Sequence, residues 1–335
     1  MHSIIFRCFL ALFITCTHWL LGHSIIFIHI GPTLPSHIPF TLSQARLFNK
    51  QCPIYLIANE YVLSLASPAL QAHNITPVSC ESLAPSPAHQ KLRDTGVDYS
   101  IVDNLWVYSS ERFFYLDEFV RTNDLHDVFH LENDILLYTD LTHLLPVFHK
   151  HYQGMIGATF ENGNRCVPGF MYISNSYPLA RLIEYFPSTF SDSWTDMDII
   201  GLFKKKHHHT FIDDLPLVCR EYATDHPEGF AQYATDPASY SNRIEEFGSI
   251  FDAAAFGIFI GAWNQYFHPE SNPGDISPWC VFNASHFDIT WKLDNEERRI
   301  PFISYKGVEL PINNLHLTNK RLLPHYHSTE YKKFL

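Results

Sequence analysis

The strongest constraint on this chain is a series of short, wholly apolar runs separated by segments of helical length. SIIFIHIGP (24–32) is rich in isoleucine and phenylalanine and is stopped by Gly31-Pro32. A run with no polar alternation reads as a strand buried on both faces. TLSQARLFNK (41–50) then predicts a helix with Leu42, Ala45, Leu47 and Phe48 as its apolar side. PIYLIAN (53–59) predicts a second buried strand. VLSLASPALQAHN (62–74) is helical in pattern, and the apolar pair Pro77-Val78 follows it. Strand, helix, strand at this spacing is the signature of a parallel sheet, because parallel neighbours need a crossover between them.

The pattern continues downstream. SSERFFYLDEFVRTNDL (109–125) predicts a helix with Ser110 as its N-cap and Phe113, Leu116, Phe119 and Val120 on one face. DVFHLEND (127–134) predicts a core strand with a polar end, and LTHLLPVFHK (141–150) a short helix broken at Pro146. GMIGATF (154–160) and GFMYISN (169–175) predict two more strands, with ENGNRCVP as a polar turn between them. Past residue 190 the text is more polar: a helix near 195–206, a buried helix in FDAAAFGIFIGAW (251–263) ended by Gly261, then alternating short strands over 286–317. The expected fold class is α/β, a mixed but mostly parallel sheet flanked by helices, with a mixed C-terminal part. Residues 24–335 are expected to form one domain.

Composition limits what such a domain can do. The chain has 335 residues, 46% hydrophobic and 17% charged, ample for a real core. A formal charge of -12 repels phosphate backbones at long range, which argues against nucleic acid as a partner. An acidic protein that handles an anionic substrate needs a local cation. Cys52, Cys80, Cys166, Cys219 and Cys280 are widely spaced with no CxxC, so buried free thiols are expected rather than a zinc ribbon or a dense disulfide framework, with one or two bridges as the alternative. No GxSxG, HExxH, P-loop or GxGxxG is present, which disfavours serine hydrolases, zincins, P-loop kinases and Rossmann dehydrogenases.

Residues 1–23 form a separate problem. After Arg7 no Asp, Glu, Lys or Arg appears until Arg46, and CFLALFITCTHWLLG is apolar enough for a signal or membrane anchor. The reading is a membrane-associated or secretory-route protein with an uncleaved anchor or weakly marked signal. The alternatives are a buried or mis-started N-terminus and a cytoplasmic protein. Sequons at Asn74 and Asn283 are compatible with the secretory route.

Chemistry enters with the acids. Among 35 acids, chance supplies about three or four acid-x-acid pairs, and three occur: Glu132/Asp134, Asp196/Asp198 and Asp294/Glu296. Asp294/Glu296 sits in the charge cluster DNEERR and reads as a solvated turn. Asp196/Asp198 opens a helix, where acids favour the dipole. Only Glu132/Asp134 follows a buried strand, and ligands in open α/β sheets bind beyond the carboxyl ends of strands. Two carboxylates there can hold a hard divalent cation with positions open for diphosphate oxygens. The competing reading is two acids capping the next turn. HHH at 207–209 reads as a solvated cationic loop, and His130 as a locally bonded core histidine.

Strand, helix, strand and then an acid-x-acid strand end resembles the nucleotide-sugar glycosyltransferases of the GT-A fold, whose DxD-type motif binds a divalent metal and the donor diphosphate. Glu132-Asn133-Asp134 stands where that motif would be, with glutamate for the first aspartate. NNLHLTNKRL (314–323) is similar to the late segment that completes the site. By resemblance, Glu132, Asp134 and His316 would be ligands of Mn2+ or Mg2+. Glu132 and Lys320 would contact the donor, a UDP-sugar by preference, with His29 and Gly31 cradling its base. IFDAAAFGIFIGA resembles the helix that carries an acid beside the acceptor, which makes Asp252 the candidate catalytic base. The acceptor would be a hydroxyl of a glycan, lipid or protein.

Two other functions remain open at this point. A sugar nucleotidyltransferase would carry a glycine-rich basic loop after the first strand, and GPTLPSHIPF has one glycine and only His37. A non-catalytic glycan- or partner-binding protein on the same fold is the second alternative, kept open by the glutamate in place of the first aspartate.

Overall fold

A computed structural model describes residues 22–94, 105–189, 195–229, 236–264 and 268–326. The chain runs β1 (Ser24–His29), α1 (Ile38–Phe48), β2 (Ile54–Ala58), α2 (Glu60–Ala72), β3 (Thr76–Ser79), α3 (Pro87–Arg93) and α4 (Leu105–Thr122). It continues through β4 (Val128–Leu131), β5 (Ile135–Leu137), α5 (Leu145–His151), β6 (Ile156–Asn162), β7 (Arg165–Ile173), α6 (Ser176–Thr189), α7 (Asp196–His207) and β8 (Ile212–Asp214). The C-terminal part holds α8 (Arg220–Asp225), α9 (Ile244–Phe247), α10 (Ala255–Gly261), β9 (Asp288–Leu293), β10 (Arg299–Tyr305), β11 (Val308–Pro311) and β12 (Asn314–His316).

Seven strands form one sheet in the order β3-β2-β1-β4-β7-β6-β8. All run the same way except β7, which is antiparallel to both of its neighbours. Successive residues of β1 enter opposite cores, as a strand buried on both faces requires. Ile26 and Ile28 pack with Phe113 and Phe114 of α4, Leu182 of α6 and Ile200 of α7, while Ile25 and Phe27 pack with Leu42 of α1 and Val62 of α2. The sheet is therefore covered by helices on both sides, and the expected mostly parallel α/β architecture is present. The mixed C-terminal part is also present, as the antiparallel sheet β11-β10-β9 and the pairing of β12 with β5.

Local predictions fared unevenly. Asn59 caps α2, accepting from the Val62 N–H at 2.8 Å. Ser110 does not cap α4: the helix starts at Leu105, so Ser110 lies inside it and is buried. Pro146 begins α5 rather than breaking it, because the first turn needs no donor from that residue. ENGNRCVP is mostly strand, since β6 extends to Asn162 and β7 starts at Arg165. The five cysteines outside the N-terminal segment are free thiols, four of them buried. Asn283 is also buried and caps the turn at Ser285, so that sequon cannot carry a glycan in this fold. The anchor or signal expected over 1–23 lies outside the described residues but for Gly22 and His23. Among the described residues no helix is long and apolar enough to cross a membrane.

Candidate active site

The carboxyl ends of β1, β4 and β6 open onto a cleft of about 610 Å³. Glu132-Asn133-Asp134 forms the turn between β4 and β5 at its floor. The Glu132 N–H donates to the Gly169 carbonyl of β7 at 3.0 Å, and the Ile135 N–H closes the turn on the Glu132 carbonyl at 3.1 Å. Asn133 fixes the turn sideways. Its amide donates to His29 Nδ1 at 3.2 Å and its carbonyl oxygen accepts from His37 Nε2 at 3.1 Å. The Thr41 hydroxyl of α1 donates to its backbone carbonyl at 2.7 Å.

The second half of the site arrives from the far end of the chain. Pairing of β12 with β5 sets His316 opposite Ile135, one residue past Asp134. His316 Nε2 lies 3.1 Å from Glu132 Oε2 and 3.4 Å from Asp134 Oδ2. One ligand atom from each of the three residues lies within 4.8 Å of the others. The Lys320 ammonium bonds the same Asp134 Oδ2. The sequence therefore named four residues that the fold does bring together across the chain.

Asp252 is placed differently. It is 0% exposed, and its carboxylate accepts from the N–H groups of Phe256 (3.0 Å), Gly257 (2.9 Å) and His316 (3.0 Å). It does not line the cleft, so the catalytic-base role expected of it does not fit. Burial pushes its pKa up to about 6, against the pull of those backbone donors. Asp252 ties the start of α10 to β12 and thereby seats His316. Gly31 also stands off the cleft, with its carbonyl accepting from the Asn59 amide at 2.6 Å. His29 does line the cleft, but its Nε2–H is taken by the Thr33 carbonyl at 2.7 Å and its Nδ1 by Asn133.

Several residues of the cleft and its support were not picked out in the sequence. Arg112 of α4 donates to Glu132 Oε1 at 2.5 Å and Asp196 Oδ2 at 2.9 Å, its guanidinium lying over the Phe113 ring. Asp196 thus faces the cleft, while Asp198 makes a capping box with Thr195 at the helix start where the sequence placed this pair. Two glycines make room for His316. A Cβ on Gly169 would stand 2.6 Å from His316 Nδ1, and one on Gly257 would overlap the His316 carbonyl. A glycine opening GFMYISN and another inside AAAFGIF were the available signals.

The electrostatics suit a cation. Burial works to raise both carboxylates, yet Arg112 and His316 hold Glu132 below the usual range, and Lys320 and His316 do the same for Asp134. Burial alone would lower His316, but Asp134 and Glu132 raise it above its ordinary value. Two carboxylate oxygens and one imidazole nitrogen within 4.8 Å of one another form a donor set of the kind that holds a divalent cation. His130 is not part of this set. Burial drives it down to about 3, and its Nδ1 bonds the Ile26 carbonyl at 3.1 Å, as a core histidine would.

No family model matches the sequence, and no curated protein matches it. Solved structures resemble it in part. Mouse xyloside xylosyltransferase 1 is 13% identical over 61% of this chain and 90% of its own, with a TM-score of 0.44. PaToxG glycosyltransferase is 8% identical over 56% and 68%, with a TM-score of 0.39. A cytidylyltransferase of Leptospira borgpetersenii is 9% identical over 67% and 93%, with a TM-score of 0.36. Likenesses this loose carry no inference about activity, which has to come from the site itself.

Proposed function

We propose that this protein is a metal-dependent glycosyltransferase that moves a sugar from a nucleotide-diphosphate donor, a UDP-sugar by preference, to a hydroxyl of a glycan or glycoconjugate. The observation that supports it is the convergence of Glu132, Asp134, His316 and Lys320 at the strand ends of a cleft sized for such a donor. Glu132, Asp134 and His316 would hold Mn2+ or Mg2+, which when bound supplies Lewis-acid charge to the diphosphate oxygens as they leave. To serve as a ligand, His316 would release its Nε2 proton to solvent. Lys320, whose side chain is 42% exposed, can turn from Asp134 toward the departing diphosphate and offset its charge. Arg112, braced by Asp196, keeps Glu132 ionised and aimed. Asp252 holds β12 in place rather than touching an acceptor.

Isothermal titration of UDP-sugars with and without Mn2+ tests this reading. Donor binding that needs Mn2+ and disappears in Asp134→Ala supports it. Binding indifferent to both Mn2+ and Asp134 overturns it, as would sugar transfer at full rate in excess EDTA. The burial of Asp252 favours one alternative, a glycan-binding protein that keeps the fold without the chemistry, and the same titration separates the two.

A further inference from the structure

Beside the donor cleft lies a second hollow of about 560 Å³, and the two share Trp263, His268 and Trp279 as a common wall. We propose that this hollow is a binding site for a neutral pyranoside, the acceptor sugar of the reaction above, with the Trp279 ring as its platform; as the acceptor's site it rests on that reading.

Trp279 is 37% exposed, one of few large apolar side chains in the described residues to be so. An indole open to water at the junction of two hollows is costly to leave uncovered. Its orientation is nevertheless fixed. The Asn162 amide of β6 donates to the Trp279 carbonyl at 2.9 Å, the Arg165 guanidinium lies over one face of the ring at 5.5 Å from its centroid, and the Trp263 and Trp279 rings stand at 88° to one another with centroids 5.5 Å apart. The loop before it is tied as well. Ser271 Oγ accepts from the Trp263 N–H at 2.8 Å and donates to Asp275 Oδ2 at 2.6 Å, while the Gly274 N–H donates to the Phe259 carbonyl of α10 at 2.7 Å. A platform built in advance costs a ligand little ordering entropy.

The chemistry of the wall selects the ligand. The platform is the face of Trp279 opposite Arg165: an aromatic face carries negative charge and attracts the slightly positive C–H face of a pyranose ring. Glu270 and Asp275 stand on the rim of the same hollow. Carboxylates accept hydrogen bonds from sugar hydroxyls and repel a uronic acid or a phosphorylated sugar. The nearby cation, Arg165, is already paired with Glu161 and does not balance them. A neutral, hydroxyl-rich ring meets all of these conditions, and continuity with the cleft puts its hydroxyls on the side of the donor.

Saturation-transfer NMR on the full chain, without nucleotide or metal, tests the site with methyl glycosides of xylose, galactose, glucose and mannose and with methyl glucuronide. At least one neutral glycoside is expected to receive saturation on its ring C–H protons, and the glucuronide to bind about tenfold more weakly or not at all. Trp279→Ala should weaken the neutral ligand about tenfold, and Trp279→Phe should recover most of that loss. Glu270→Lys, at an exposed position that cannot threaten folding, should narrow the gap between neutral and acidic glycosides. The proposal is overturned if no neutral glycoside contacts the wild-type protein, if Trp279→Ala binds as well as wild type, or if the glucuronide binds best. Mn2+-dependent UDP binding, measured separately on the wild type, decides the donor reading. Glycoside binding at Trp279 without it would leave a sugar site and remove the transferase.

Discussion

Among the described residues, two places bring ligand atoms of a histidine and two carboxylates within 4.8 Å of one another: Glu132/Asp134/His316 and His209/Asp213/Asp214. By ligand count they are equals, yet their surroundings differ. In the second, Lys204 is buried against the Phe160 ring and bonds Asp214 at 2.7 Å, and Arg243 packs on Tyr152 and bonds Asp213 at 2.6 Å. Those cations are locked in by packing, so the cluster is a finished ion network on the surface. In the first, Arg112 is likewise packed in place over Phe113, but Lys320, the partner of Asp134, is 42% exposed and can swing away, and the carboxylates open into a cleft. A cation site needs partners that can leave as much as it needs ligands.

The sharpest way to break this contrast is Asp134→Ala. It should lower glycosyl transfer at least about a hundredfold, roughly 2.7 kcal/mol of barrier, and abolish Mn2+-dependent UDP binding in calorimetry. Equal loss in Asp213→Ala would erase the distinction. Lys320→Met should cost about ten- to a hundredfold in kcat, because a transition-state charge partner is gone, with a smaller change in KM. Gly169→Ala should reduce Mn2+ affinity about tenfold by crowding the His316 ring, read by electron paramagnetic resonance of the free ion. His209→Ala should leave Mn2+ dependence intact and shift stability by about 0.5 kcal/mol or less, since the pair is half exposed.

Asp213 supplies the pH test. Burial raises its carboxyl, but Arg243 and His209 outweigh that and hold it below the usual range. Its pKa is therefore lower folded than unfolded. The stability it contributes is complete above the unfolded value of about 3.9 and is lost as pH falls toward the folded one. Urea unfolding followed from pH 6 to pH 3 should show a shallower acid decline in Asp213→Asn than in wild type.

What could be read in the sequence was what is written locally. The buried runs of β1, β2 and β4 have one conformational outcome, and the acids after β4 stood out because an apolar strand preceded them. His316 and Lys320 came from resemblance, and the pairing of β12 with β5 shows why they belong there. Arg112 was not legible, because a lone arginine in a helix reads as a surface residue until α4 is packed against the strand ends. Asp252 misled for the opposite reason: an acid before an apolar helix looks the same whether it caps backbone N–H groups or meets a substrate. Pro146 and ENGNRCVP were misread because a proline can open a helix and a polar stretch can be strand when its neighbours pair with it.

The partnership of β12 with β5 joins residues about 180 positions apart, and it has a consequence for how this protein comes into being. A chain that ends after Asp214 but before Asn314 holds every strand of the seven-stranded sheet and both acids of the turn, yet lacks the imidazole of His316. Long-range closures of this kind form late in folding. On the function proposed above, fragments that stop short of β12 would then be catalytically silent.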